Sequence, residues 1–366
     1  MLLDVDALDH NIAAMASRAA VHGLGLRPHS KGAKSIAIAQ RQMAAGALGV
    51  CCATLGEAEV MASGGLRNLL VTTAVVTDTM IDRLIALDLK TDGLMIVVDN
   101  PANVDALASA AQQAGRKLGV LVDFDVGQGR TGVTSIDAAV ALARRAQASA
   151  HLVYRGVQAY YGHLQHIADY TERERAARAQ MAQVRELISR LEAEGFPPPI
   201  VTGGGTGTFD IDFAGRIYTE IQPGSYPFMD IQYLDIPLLG EGPAPFAPAL
   251  IVQASVVSAN RAGLAIVNGG YKSFATEGGP PRVASPLLAG AKYRFMGDEH
   301  GGVEYDPLGG TLAVGDLVEF FPPHCDPTIN LYDRYHCVRG DTPIDIWPVD
   351  ARGCWAARNL ELGCPA

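Results

Sequence analysis

Short runs rich in Val, Ile and Leu alternate along the chain with longer Ala-rich stretches whose apolar residues recur every three or four positions. That alternation is the signature of βα units. Over the first two-thirds, strands are expected at 24–27, 48–53, 68–72, 94–99, 118–123, 152–159, 200–202 and 217–221. Around them, helices are expected at 6–22, with Leu8, Ile12 and Met15 on one face, and at 35–45, 54–63, 103–114, 136–147 and 170–195. In the last of these Met181, Val184, Ile188 and Leu191 form an apolar stripe beside alternating Arg and Glu, which reads as a solvated face. Gly195 and the prolines at 197, 198 and 199 end it. Eight strands with intervening helices over about 230 residues predict a (β/α)8 barrel, although a doubly wound sheet shares the pattern.

After Tyr233 the pattern changes. A stretch rich in Pro and Gly at 237–246 leads into short alternating runs at 250–258, 264–268, 282–285, 292–296, 317–321 and 342–349, with little helical spacing. A second, mostly antiparallel β domain is expected, dividing the chain into 1–235 and 236–366.

Composition narrows the partners. The chain has 366 residues, 48% hydrophobic and 19% charged, enough to bury two cores. No apolar run approaches the roughly 18 residues of a membrane span. With 29 Lys and Arg against 39 Asp and Glu, the net charge of −10 argues against a nucleic-acid surface and for a small-molecule partner. Six cysteines without CxxC spacing do not form a disulfide framework, and Cys51 and Cys52 lie in an apolar run. The first residues show no cationic stretch followed by an apolar core, so a reduced, cytoplasmic setting is expected.

Candidate chemistry collects where the expected strands end. Lys31 closes Arg27-Pro-His-Ser-Lys31 at the carboxyl end of the first strand, the end where barrel enzymes carry catalytic groups. A lysine there is a candidate for covalent catalysis, a surface charge being the bland reading, and Lys34 competes for the role. Gly203-Gly-Gly-Thr-Gly-Thr208 and Gln222-Pro-Gly-Ser-Tyr226 follow the last two strands. Glycine-rich, hydroxyl-rich loops there suit a phosphate, and neither has the spacing of a P-loop or a dinucleotide fingerprint. Asp125-Val-Gly-Gln-Gly-Arg130 presents Arg130 for a phenolate or carboxylate, unless a salt bridge to Asp123 or Asp125 takes it. Tyr160, His163 and His166 follow the sixth strand, and a histidine at a barrel mouth is a general-base candidate. In the β domain His324 and Asp326 flank Cys325; read as extended chain, they face one side, and an imidazole with a carboxylate suits Mn2+ or a similar ion. Asp298-Glu-His300 is a second polar cluster, with a turn or an interface as its alternative.

Taken in order, Arg-Pro-His-x-Lys, Gly-Val-Cys-Cys, Asp-Val-Gly-x-x-Arg, Gln-Ala-Tyr, Gly-Gly-Gly-Thr-Gly-Thr, Gly-Ser-Tyr, Asp-Glu-His-Gly and Pro-Pro-His-Cys-Asp-Pro-Thr resemble the D-threonine aldolase and D-serine dehydratase family. This is the metal-assisted branch of the alanine racemase-like, fold type III pyridoxal-phosphate enzymes. The resemblance implies Lys31 as the Schiff-base lysine and Gly205, Thr206, Gly224, Ser225 and Tyr226 around the phosphate. It also implies Arg130 and Tyr160 near the pyridine ring, His166 as acid and base, and His324 with Asp326 on the metal, Mn2+ before Mg2+ or Co2+. The implied activity is retro-aldol cleavage of a D-β-hydroxy-α-amino acid to glycine and an aldehyde, in a homodimer. The alternatives are a D-serine or 3-hydroxy-D-aspartate dehydratase, which tends to carry His-x-Cys rather than His-x-Asp, and a non-catalytic cofactor carrier. Gly32, Ala33, Ala53, Thr73 and Ala74 depart from the family pattern at positions where polar or bulkier residues are usual.

Overall fold

The computed structural model describes residues 1–285 and 288–354. They fall into two compact units, each built around its own sheet.

The first unit, 15–224 with 238–242 and the described residues after Val349, holds the parallel strands. In chain order, after an N-terminal strand β1 (Leu2–Asp4), these are β2 (Gly25–Leu26), β3 (Cys51–Cys52), β4 (Leu70–Val71), β5 (Met95–Val98), β6 (Leu118–Asp123), β7 (Leu152–Ala159), β8 (Ile200–Gly203) and β9 (Glu220–Ile221). Their order in the sheet is β2-β9-β8-β7-β6-β5-β4-β3. The two ends meet: Leu48 N–H donates to the Leu26 carbonyl (2.7 Å), Cys51 N–H to that of Pro28 (2.9 Å), and His29 bridges to Cys51 in parallel. The eight-stranded barrel is therefore closed, and every one of the eight expected strands contributes to it. All six residues of β6 are buried, which is why its sequence is a continuous apolar run and not an alternation.

Helices start where side chains satisfy their first amides. Thr54, Asn100, Ser135 and Asp169 accept from Glu57, Ala102, Ala138 and Glu172 N–H respectively. The expected helices are present to within a few residues. A further helix, Asp78–Asp88, buries Ile81, Leu84 and Ile85 at helical spacing.

The second unit comprises Met1–Ala14, Ser225–Pro237 and Pro243–Val349. Its nine-stranded sheet contains β1, β10 (Leu250–Arg261), β11 (Leu264–Val267), β12 (Arg282–Val283), β13 (Lys292–Phe295), β14 (Gly301–Glu304), β15 (Leu317–Phe321), β16 (Arg334–Arg339) and β17 (Thr342–Pro348). The pairings are antiparallel except that of β1 with β16. Because β1 pairs with β10 and β16, the first residues group with this sheet and not with the barrel they were expected to open. Alternate residues of β10, Val252, Ala254 and Val256, face a core with Val267, Tyr293 and Phe320. Phe274 meets the Tyr293 and Phe320 rings edge-on, at 5.6 Å each. Strands β14 and β16 were not expected. Glycines hide the first, whereas the second, with Tyr335 and Cys337 buried between exposed Arg334 and His336, carries the strand alternation and was legible in principle.

One expectation about local geometry is overturned. The 324–326 segment is not extended: His324 caps a short helix, Cys325–Ile329, and Asp326 lies in its first turn. Proline at the third helical position is compatible with a helix start, because the amide it removes has no partner within the helix.

A buried ion pair joins β2 to β9. Arg27 Nε and Nη2 donate to Glu220 Oε1 and Oε2 at 2.7 and 3.0 Å, while Nη1 donates to the Asn68 carbonyl. Both side chains are at most 5% exposed. Glu220→Ala strands the guanidinium charge and is expected to cost about 3–5 kcal/mol in urea unfolding, whereas the double change Arg27→Met with Glu220→Leu recovers most of that loss.

Candidate active site

In a closed parallel barrel the carboxyl ends of all strands share one rim. Lys31 lies in the helical turn Ser30–Ala33 that follows β2 and is half-buried. Arg130 sits in the exposed turn after β6, and Tyr160 follows β7 directly, with His166 in an exposed turn six residues on. Gly205 and Thr206 follow β8, and Gly224 follows β9. The barrel thus brings Lys31, Arg130, Tyr160, His166, Gly205, Thr206 and Gly224 to one rim. Ser225 and Tyr226, next in the chain, are buried and group with the antiparallel unit.

The two lysines are separated by their surroundings. Lys34 adopts a left-handed backbone (φ 49°), and its ammonium meets Glu57 Oε1 at 2.5 Å. Glu57 Oε2 also accepts from Ala53 N–H (2.7 Å), so the carboxylate is fixed and holds Lys34 in a structural ion pair. Lys31 has His29 beneath it: the imidazole accepts from Lys31 N–H (3.4 Å) and its other nitrogen meets Thr72 Oγ1 (3.2 Å).

Arg130 makes neither of the salt bridges considered for it. Asp125 accepts from the Gln128 and Gly129 amides, and Asp123 from Thr131 Oγ1 (2.8 Å) and Gln158 Nε2 (2.9 Å). The guanidinium instead lies 5.7 Å from the Tyr160 ring centre, within cation–π range. The buried amides continue inward, where Gln222 Nε2 donates to Gln158 Oε1 (3.2 Å) and Thr202 Oγ1 (3.0 Å). This polar layer tethers the ends of β6, β7, β8 and β9.

The glycine-rich loop is shaped by two side chains that sequence reasoning passed over. Gln165, 1% exposed, donates through Nε2 to Thr208 Oγ1 (2.9 Å) and accepts the Gly207 amide on Oε1 (2.8 Å). A Cβ at Gly207 would lie 1.9 Å from the Gln165 carbonyl, and one at Gly205 2.5 Å from Gln165 Oε1. Asp212, fully buried, accepts from Tyr161 Oη, from Thr208 Oγ1 (2.8 Å) and from Gly205 N–H (3.3 Å). Gly205 N–H is thereby engaged behind the loop. The loops suit a phosphate: Thr206 brings a hydroxyl, the neighbours are small and neutral, and an added Cβ at Gly224 would make only ordinary contact with His29, at 3.5 Å. Burial pushes the Asp212 carboxyl up to about 7.

In the second unit, Asp230 takes the Cys325 N–H (2.7 Å) on Oδ2 and the Tyr233 N–H (3.3 Å) on Oδ1, pinning the start of the 325–329 helix. Burial raises Asp230 to about 6 and drives the Cys325 thiol well above its usual range. His324 Nδ1 is 2.7 Å from Glu277 Oε1, and Asp326 Oδ1 is buried. An imidazole nitrogen and a carboxylate fit a divalent ion of the Mn2+ type. Among the described residues no three His, Cys, Asp or Glu side chains converge as a metal cluster. A cation here would thus draw further ligands from water or substrate. Five cysteines, 51, 52, 325, 337 and 354, are free and buried, and Cys364 lies outside the described residues. Asp298-Glu-His300 forms a turn, with Lys272 paired to Glu299 (2.5 Å). No described helix is long and apolar enough to cross a membrane.

A closed parallel barrel with a lysine in the turn after its first strand, together with an antiparallel unit carrying a His-x-Asp pair, defines an alanine racemase-like protein. Residues 3–232 match the family described as alanine racemase, N-terminal domain, and 249–338 the putative serine dehydratase domain. The 3-hydroxy-D-aspartate aldolase of Paracoccus denitrificans (strain Pd 1222) is 39% identical over 359 residues, 96% of this chain and 91% of that protein. The D-threonine aldolase of Arthrobacter sp is 35% identical over 353 residues, 96% and 92% of the two chains. The crystal structure of D-threonine aldolase from Filomicrobium marinum superposes with a TM-score of 0.92 at 36% identity, covering 97% of this chain and 95% of that one. The chain belongs to the D-threonine aldolase and D-serine dehydratase family.

The Asp212 carboxyl predicts a pH signature. Its raised native pKa means that the native state keeps a proton that the unfolded chain, near 4, has already lost. The group therefore withdraws stability as pH rises from about 4 to 7. Asp212→Asn should become progressively more stable relative to the parent across that interval in pH-dependent denaturation; a constant offset would contradict the assignment.

Proposed function

We propose that this protein is a pyridoxal-phosphate-dependent aldolase that splits D-β-hydroxy-α-amino acids into glycine and an aldehyde with the help of a divalent cation. The observation that carries the reading is similarity to proteins named as aldolases along nearly the whole of both units, with the His324 and Asp326 pair present.

When bound, pyridoxal phosphate would supply an electron sink for the cleaved Cα–Cβ bond. Lys31 is the amine proposed to carry it. Gly205, Thr206 and Gly224, with the Ser225-Tyr226 step that follows, are assigned to the phosphate. Arg130 and Tyr160, already stacked on each other, are assigned to the ring. Gln165, the residue before His166, is anchored to the glycine loop by two hydrogen bonds. His166 is assigned to remove the β-hydroxyl proton, and Cα is protonated in the same turnover, so no net proton is lost. His324 and Asp326 would hold the cation, whose chemistry there is Lewis-acid polarisation of a substrate oxygen. The conditions proposed are those of a cytoplasmic homodimer.

The dehydratase reading has support in the 249–338 match to the putative serine dehydratase domain. Product analysis separates the two. With Mn2+ and pyridoxal phosphate, D-threonine should give glycine and acetaldehyde, and 3-hydroxy-D-aspartate should give glycine and glyoxylate. Keto acid and ammonia without glycine would sink the aldolase reading, and no turnover of either substrate would favour a carrier. His166→Asn should lower kcat by about 100-fold or more while keeping the cofactor absorbance; an unchanged kcat would remove His166 from the chemistry.

A further inference from the structure

His324 is held from two directions. Behind it, Asp230 fixes the Cys325 amide and with it the backbone between His324 and Asp326. On the ring itself, Glu277 Oε1 faces Nδ1 at 2.7 Å, with the His324 side chain 25% and the Glu277 side chain 53% exposed. A carboxylate at Nδ1 draws the imidazole proton to that nitrogen and leaves the Nε2 lone pair for a ligand. We propose that Glu277 is the positioning residue for a divalent cation at His324, setting the tautomer and ring orientation in which Nε2 binds the ion. The inference rests on the reading that His324 and Asp326 hold the cation, and assigns this chain a partner for the ligand that sequence motifs do not contain: Glu277 lies 47 positions from His324.

A plain surface ion pair has the opposite consequence. A carboxylate that only stabilises the protonated imidazole competes with a metal for the same ring, so its removal leaves cation affinity unchanged or raises it. An orienting carboxylate favours the neutral, Nδ1-protonated ring and raises ligand basicity, so its removal weakens binding.

Mn2+ binding to the full-length, pyridoxal-phosphate-loaded protein, followed by the electron paramagnetic resonance of the free aqua ion, separates these cases. Glu277→Ala should weaken Mn2+ by about 10- to 100-fold, with melting temperature and cofactor absorbance unchanged. Glu277→Gln, whose side-chain oxygen still accepts from Nδ1–H, should lose less. His324→Ala should abolish tight binding. Wild-type or tighter binding in Glu277→Ala, with binding lost in His324→Ala, would overturn the inference. Unchanged binding in both His324→Ala and Asp326→Ala would instead overturn the metal assignment beneath it.

Discussion

The rim of the barrel depends on a single close approach, that of the turn after β7 to the glycine loop after β8. The Gln165 carbonyl occupies the space where a Gly207 side chain would begin, and the Gln165 amide closes two hydrogen bonds with that loop. Any residue with a Cβ at 207 forces the two segments apart. The glycines therefore serve packing first, and the loop proposed for the phosphate takes its shape from how tightly the two turns fit. Because both amide groups of a fully buried Gln165 are satisfied, separating the turns costs the desolvation of each. That cost makes the loop a fixed surface before any ligand arrives.

The same economy of buried polarity sets the electrostatics. On the proposed function, a chain of net charge −10 must still receive an anionic cofactor and an amino-acid carboxylate. Asp212 lies four residues past Thr208, and its carboxyl is turned into a cluster with Tyr161, Thr208 and the Gly205 amide. Burial holds its pKa near neutrality, so much of its charge is suppressed. Among the cations, Lys34 is committed to Glu57 and Arg27 to Glu220, and Lys31 and Arg130 also follow strands of the barrel. Three residues apart, Lys31 and Lys34 differ in their surroundings, for Lys34 is held by the buried carboxylate of Glu57.

The strands of the barrel were legible because most lie in short apolar runs that are largely buried, and the turn residues that follow them include the candidate site residues. Strand β14 was not, since Gly301-Gly302 leaves little side-chain pattern, while β16 alternates exposed Arg334 and His336 with buried Tyr335 and Cys337 and was legible in principle. The helix 78–88 shows the expected spacing of apolar residues and was legible in principle. The candidate residues on the rim were readable as motifs. Gln165, Asp212 and Glu277 were not, because each acts on a residue in another loop, and neither propensity nor spacing reports such a contact. The 324–326 pair was readable as chemistry and misread as geometry, an extended segment standing in for a helix cap.

That Lys31, and not Lys34, carries the cofactor is the claim on which the rest of the chemistry turns. Borohydride reduction of the loaded protein fixes the cofactor to the lysine that carries it, and peptide mass spectrometry then locates the added mass. The account predicts one pyridoxyl-modified peptide with the modification on Lys31. Modification of Lys34, or no modified lysine in a protein that retains its cofactor, would contradict it.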